Sequence, residues 1–129
     1  MSWRCDRWTS THSRLEQQLQ QVKKAQDVLQ DNLGQAKRKQ VEQEWLEEDS
    51  HQLEMEKQGL LDFLRGGWQG EEANGFHRYL EEQQHEEAMA WRKDLSEKRV
   101  HLEEEARTTR AEMHDIETKQ ASLRKEWNQ

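Results

Sequence analysis

The stretch Gly66-Gly67-Trp68-Gln69-Gly70, followed by Ala73, Gly75 and Phe76, interrupts a chain that otherwise reads as helix. Five of the six glycines fall between Gly59 and Gly75, and the chain has no proline. Glycine tolerates backbone conformations that reverse a chain and end a helix, at positions where other residues clash. The break therefore predicts an all-α fold: one long antiparallel helix–turn–helix hairpin with a coiled-coil-like seam. Its expected parts are helix one over about 11–65, a turn at 66–70 and helix two over 71–127, with residues 1–10 frayed.

Upstream of the break, Thr9, Ser10, Thr11 and Ser13 offer side-chain oxygens to early helical amides, and Thr11 or Ser13 is the expected start. Leu15, Leu19, Val22, Leu29, Leu33 and Ala36 then follow a 4-3-7-4-3 spacing with Gln26 in the polar slot. Such spacing makes a narrow a/d seam along one helix face. Around 36–46 the apolar pattern changes phase, and Val41, Trp45, Leu46, Leu53, Leu60 and Leu64 are expected to carry the seam onward. Gly66 or Gly67 then serves as the expected C-terminal cap.

Downstream, Glu71 and Glu72 suit a helical first turn, where the dipole favours acids. Phe76 and Leu80 open the apolar face of helix two. Trp91, Leu95, Leu102, Ala106, Thr109, Met113, Ile116, Leu123 and Trp127 continue it. The sustained three-and-four spacing supports coiled-coil-like packing. Trp8, Trp45, Trp91 and the polar slot at Gln26 indicate surface that one antiparallel arm does not cover, so further helices are expected from another chain or a second copy.

Composition agrees with a thin rod. The chain has 129 residues, of which 31% are hydrophobic and 36% charged. That apolar share is below the ~45–50% usual for globular domains, so no large core is available. The net charge of −7 argues against nucleic acid as the partner. It is unevenly spread, with net +4 over residues 1–40, −11 over 41–90 and zero over 91–129. No apolar run approaches the ~20 residues of a membrane span, so no membrane insertion is expected. The single cysteine, Cys5, forbids an intrachain disulfide, and the N-terminal residues lack the apolar stretch of a cleavable signal peptide. Cytoplasmic synthesis is the expectation.

Nothing in the sequence has the spacing of a catalytic or cofactor site. His12, His51, His77, His85, His101 and His114 form no i,i+4 pair, and they read as solvent-exposed helical residues rather than metal ligands. The glycine cluster lacks the Lys-Ser/Thr of a phosphate-binding loop. The acid runs Glu47-Glu48-Asp49 and Glu103-Glu104-Glu105 lack calcium-loop spacing. The expectation is a protein that is not an enzyme and has no cofactor.

Trp68, Gly70, Ala73 and Phe76 stand in the order W-x-G-x-x-A-x-x-F at the bend between two long helices. This arrangement resembles the WxG hairpins of type VII secretion in Gram-positive bacteria. With Tyr79-Leu80-Glu81-Glu82-Gln83 after it, the stretch looks most like the small α-helical accessory proteins that accompany LXG toxins. The resemblance covers about residues 60–85, and the arms match in periodicity alone. It implies a turn motif of Gly66, Gly67, Trp68, Gly70, Ala73 and Phe76, with Trp68 closing the end of the hairpin and Ala73 and Phe76 as the first inward positions of helix two.

The same resemblance implies a partner-binding adaptor or chaperone for the helical N-terminal LXG domain of a secreted toxin, acting with or without a second small helical protein. The expected partner-binding stripe is Leu15, Leu19, Val22, Leu29 and Leu33 on one arm and Leu102, Met113, Ile116, Leu123 and Trp127 on the other. An aromatic-x-x-x-acid export pair is missing after helix two: Tyr79 is followed at +4 by Gln83, and Trp91 by Leu95. That departure fits an accessory protein whose partner supplies the signal, and co-export with that partner stays open. The alternatives are a self-associating structural coiled coil, as a homo-oligomer, or a WxG protein that is itself the secreted substrate.

Overall fold

The computed structural model describes the backbone of residues 2–129 and the side chains of residues 10–129. The fold is all-α, with helices α1 (Ser2–Gly67) and α2 (Glu71–Trp127) packed against each other. Strong helix formers and the absence of proline leave nothing to interrupt either arm. Helix α1 runs through Thr11 and Ser13, which are therefore interior helical positions rather than caps. The side chains of Cys5, Trp8 and Thr9 lie outside the described residues.

The connection is short. The Trp68 amide still donates to the Leu64 carbonyl at 2.9 Å, so the α-helical bonding pattern persists past Gly66 and Gly67. Neither of those glycines has positive φ; Gly70 does, at 124°. The left-handed position is thus Gly70, not the expected Gly66 or Gly67 cap. Its carbonyl accepts from the Asn74 amide at 2.8 Å, which makes Gly70 the N-cap of α2. Glu71 and Glu72 occupy the first turn of α2, where the helix dipole favours negative charge.

The chain forms two compact units. The first comprises residues 1–38 with 104–129, and the second residues 39–103. In the first, Leu15, Val22 and Leu123 form the buried cluster, with Leu19 and Ile116 packed against it. Ala36 and Ala106 are buried too. The rings of His12 and Trp127 meet with centroids 4.4 Å apart. The inward positions Leu15, Val22, Leu29 and Ala36 keep a strict seven-residue interval, as a two-helix seam requires.

The second unit keeps the same interval but fills it differently. The least exposed positions of α1 here are Gln40, Gln43, Glu47, Ser50, Glu54, Lys57 and Leu61, almost all polar. The expected carriers of the seam, Val41, Trp45, Leu46, Leu53, Leu60 and Leu64, are exposed instead. The physical reason is angular. Leu46, Leu53 and Leu60 each precede an inward residue by one position, and one residue is a turn of about 100° about the helix axis. The arm-to-arm face does not follow the phase change of the sequence, so the shifted apolar stripe is carried to the side.

A candidate interaction surface

At the turn, Ala73 is 1% exposed and takes an inward position as expected. Phe76, expected beside it, is 44% exposed. It lies against the indole of Trp68 with ring centroids 5.4 Å apart. The inward place one turn after Ala73 belongs to His77, which is 2% exposed and not a surface histidine. Its Nε2 stands 2.6 Å from the Trp68 carbonyl oxygen, and its ring meets the indole edge-on at 5.6 Å. Trp68 itself is 45% exposed, one part packed on Phe76 and His77 and the rest turned to solvent. His77 shares an inward row with Ala73, Gln84 and Ala88, and the mixed polarity of that row gave no apolar periodicity to mark it in the sequence.

The expected partner-binding stripe divides differently from its prediction. Leu15, Val22 and Leu123 are buried, and Leu19, Leu29, Leu33, Leu102, Met113 and Ile116 are partly buried. Trp127 alone of this set is exposed, and it is stacked on His12. Five of these ten, Leu15, Leu19, Val22, Ile116 and Leu123, pack together in one cluster between the arms. Two antiparallel apolar seams on one chain meet before any partner arrives.

Among the described residues, most of the exposed large apolar side chains lie in the second unit, with Val28 and Trp127 the exceptions in the first. One flank is polar. Arg99 forks onto Glu47, with Nε donating to Oε1 at 2.8 Å and Nη2 to Oε2. Arg92 forks onto Glu54 in the same way, at 3.3 and 2.7 Å. The Arg99 guanidinium, chiefly by hydrogen bonding, holds the Glu47 carboxyl below its ordinary range, and Glu54 pushes the Arg92 pKa up. Between the arms, Gln43 Nε2 donates to the Leu95 carbonyl at 2.9 Å, a buried polar tie where the seam lacks apolar side chains.

The other flank is a groove of about 300 Å³ lined by Leu46, Ser50 and Leu53 of α1 and by Ala88, Trp91 and Leu95 of α2. Leu53 is 51% exposed and Trp91 57%. A second groove, lined by Gln43, Leu46, Lys98 and Leu102 among others, continues it within the unit, sharing Leu46 and Lys98. Large apolar side chains grouped in this way, with polar residues at the rim, are the mark of an interaction surface.

Among the described residues, no group of three or more His, Cys, Asp or Glu is placed to hold a metal ion, and no helix is long and apolar enough to cross a membrane. The chain matches no family model, no curated protein and no solved structure.

Proposed function

We propose that this chain is a non-catalytic accessory protein that binds a second helical protein. The observation that carries this reading is the exposed apolar groove of the second unit, where Leu46, Leu53 and Trp91 line a concave, elongated surface. An elongated apolar groove between two helices suits a third helix better than a small polar substrate. The resemblance of Trp68, Gly70, Ala73 and Phe76 to the WxG turn supports a narrower form of the proposal. In that form the partner is the helical N-terminal LXG domain of a type VII secreted toxin, and this protein, made in the cytoplasm, helps present it for export.

Co-expression with an LXG domain encoded beside this protein tests the narrower form. A stable complex on gel filtration is expected, and separate elution at micromolar concentration overturns it. Self-association is disfavoured by charge: residues 39–103 carry 17 Asp and Glu against 8 Lys and Arg, a net −9, so two such surfaces repel.

A further inference from the structure

The two grooves on the apolar flank form one track. On α1 it runs from Lys39 to Lys57, and on α2 from Gln84 to Leu102. Both segments are the same length, close to 27 Å at about 1.5 Å per residue, or roughly five helical turns. Along it, apolar and charged residues are sorted. Leu46, Leu53, Trp91 and Leu95 line the middle, and the carboxylates of Glu42, Asp49, Glu87, Asp94 and Glu97 stand along the rim with the ammonium groups of Lys39, Lys57 and Lys98, Glu87 already paired with Lys57 at 3.3 Å and Asp94 with Lys98 at 3.6 Å. The rim is acidic in the balance, and so is the whole unit at net −9.

We propose that this track seats one amphipathic helix with basic flanks. The occupant has a leucine-type stripe at i, i+3/i+4 and i+7, set against Leu46, Leu53 and Trp91, and Lys or Arg on either side of the stripe facing the acidic rim. Three features select this occupant. The length of the track fits a single helix of about 18 residues. Its apolar strip is narrow, as a helix laid in a groove requires. Its charge repels a second copy of the same unit and attracts a basic segment, and complementary potentials of this kind decide between partners. The proposal deepens the partner-binding reading and rests on it only for the existence of a helical partner.

The test uses the full chain and two synthetic amphipathic helical peptides of about 18 residues with an identical leucine stripe, one flanked by Lys and one by Glu. Binding is read by fluorescence anisotropy of labelled peptide. The Lys-flanked peptide is expected to bind at least about tenfold more tightly at low salt, and to weaken as salt rises past the point where the Debye length falls below about 8 Å. Leu53→Gln and Trp91→Gln are expected to lose this binding with helicity by circular dichroism unchanged, because both side chains are already half in water. His51→Ala, on the opposite flank, is expected to bind as the parent does. Equal affinity for both peptides overturns the proposal, as does unchanged binding by Leu53→Gln and Trp91→Gln. So does a homodimer in sedimentation equilibrium that Leu53→Gln dissociates. If the LXG domain fails to bind while the Lys-flanked peptide succeeds, the toxin identity falls and the groove stands. If the LXG domain binds Leu53→Gln and Trp91→Gln as tightly as the parent, the groove falls and the toxin identity stands.

Discussion

His77 Nε2 donates a hydrogen bond to the Trp68 carbonyl oxygen at 2.6 Å, so the second turn of α2 holds the connection that precedes it. A carbonyl oxygen only accepts, which puts a hydrogen on Nε2, while Nδ1 is buried without a protein partner. The arrangement satisfies one backbone group of the turn at the expense of one side-chain atom. Removing His77 therefore has two opposed consequences. His77→Ala loses the bond and opens a space beneath the indole, and is expected to lower stability by about 2 kcal/mol. His77→Leu refills the space and removes the orphaned Nδ1, so it is expected to cost less than the alanine. Urea denaturation of the two variants checks the order.

Glycine substitutions on either side of the turn should have opposite signs. Gly70 has φ 124°, where a Cβ is strained whatever space surrounds it. Gly70→Ala is expected to destabilise by roughly 1–2 kcal/mol. Gly59 lies within α1, and a methyl group added there would meet nothing within 4 Å beyond its own stretch of helix backbone. Gly59→Ala is therefore expected to stabilise by about 1 kcal/mol, the ordinary helix-propensity difference. Thermal melts of the two proteins decide it, and a shift of the same sign in both would contradict the assignment of the turn.

The hairpin was legible in the sequence because its signals are local. Glycines around Trp68, the lack of proline and two runs of three-and-four spacing sufficed for two helices and a bend. The site was less legible because it depends on which face of α1 meets α2 at each point. Leu46, Leu53 and Leu60 have faultless heptad spacing, and spacing alone cannot distinguish an inward row from a neighbouring row one residue away. Gln43 and Ser50 hold the inward row in the second unit, and their polarity hid it. His77 was obscured in the same way, as a polar residue in an inward slot.

The Glu47–Arg99 pair predicts a pH dependence with a definite sign. Arg99 lowers the pKa of Glu47 in the folded chain, so the folded state binds that proton more weakly than the unfolded chain does. The contribution to stability is complete above the ordinary carboxylate pKa of about 4.3 and disappears as pH falls through the depressed folded value. Glu47→Gln is therefore expected to be less stable than the parent at neutral pH and to converge with it in acid. Raising the salt concentration at neutral pH should narrow the same gap, because Arg99 lies at the surface and screening acts there. A gap independent of both pH and salt would assign the effect to something other than the ion pair.

Leucines of equal size should differ sharply in cost according to the row they occupy. Leu15 is 2% exposed within the cluster of Leu15, Val22 and Leu123, and Leu15→Ala is expected to cost about 2–4 kcal/mol. Leu53 leaves half its surface in water and packs along the side of the second unit, so Leu53→Ala is expected to fall within about 0.5 kcal/mol of the parent. Equilibrium denaturation measures both. The comparison also tests the register. Were the arms of the second unit packed in the phase of Leu46, Leu53 and Leu60, Leu53→Ala would cost as much as Leu15→Ala, while Gln43→Ala would be nearly neutral. In the register described, Gln43→Ala instead loses the buried bond to the Leu95 carbonyl and should cost about 1 kcal/mol. Leu15 and Gln43 costly with Leu53 silent is thus the pattern expected of a hairpin whose arms meet through an apolar row in one unit and a polar row in the other, leaving the second unit's apolar row for a partner.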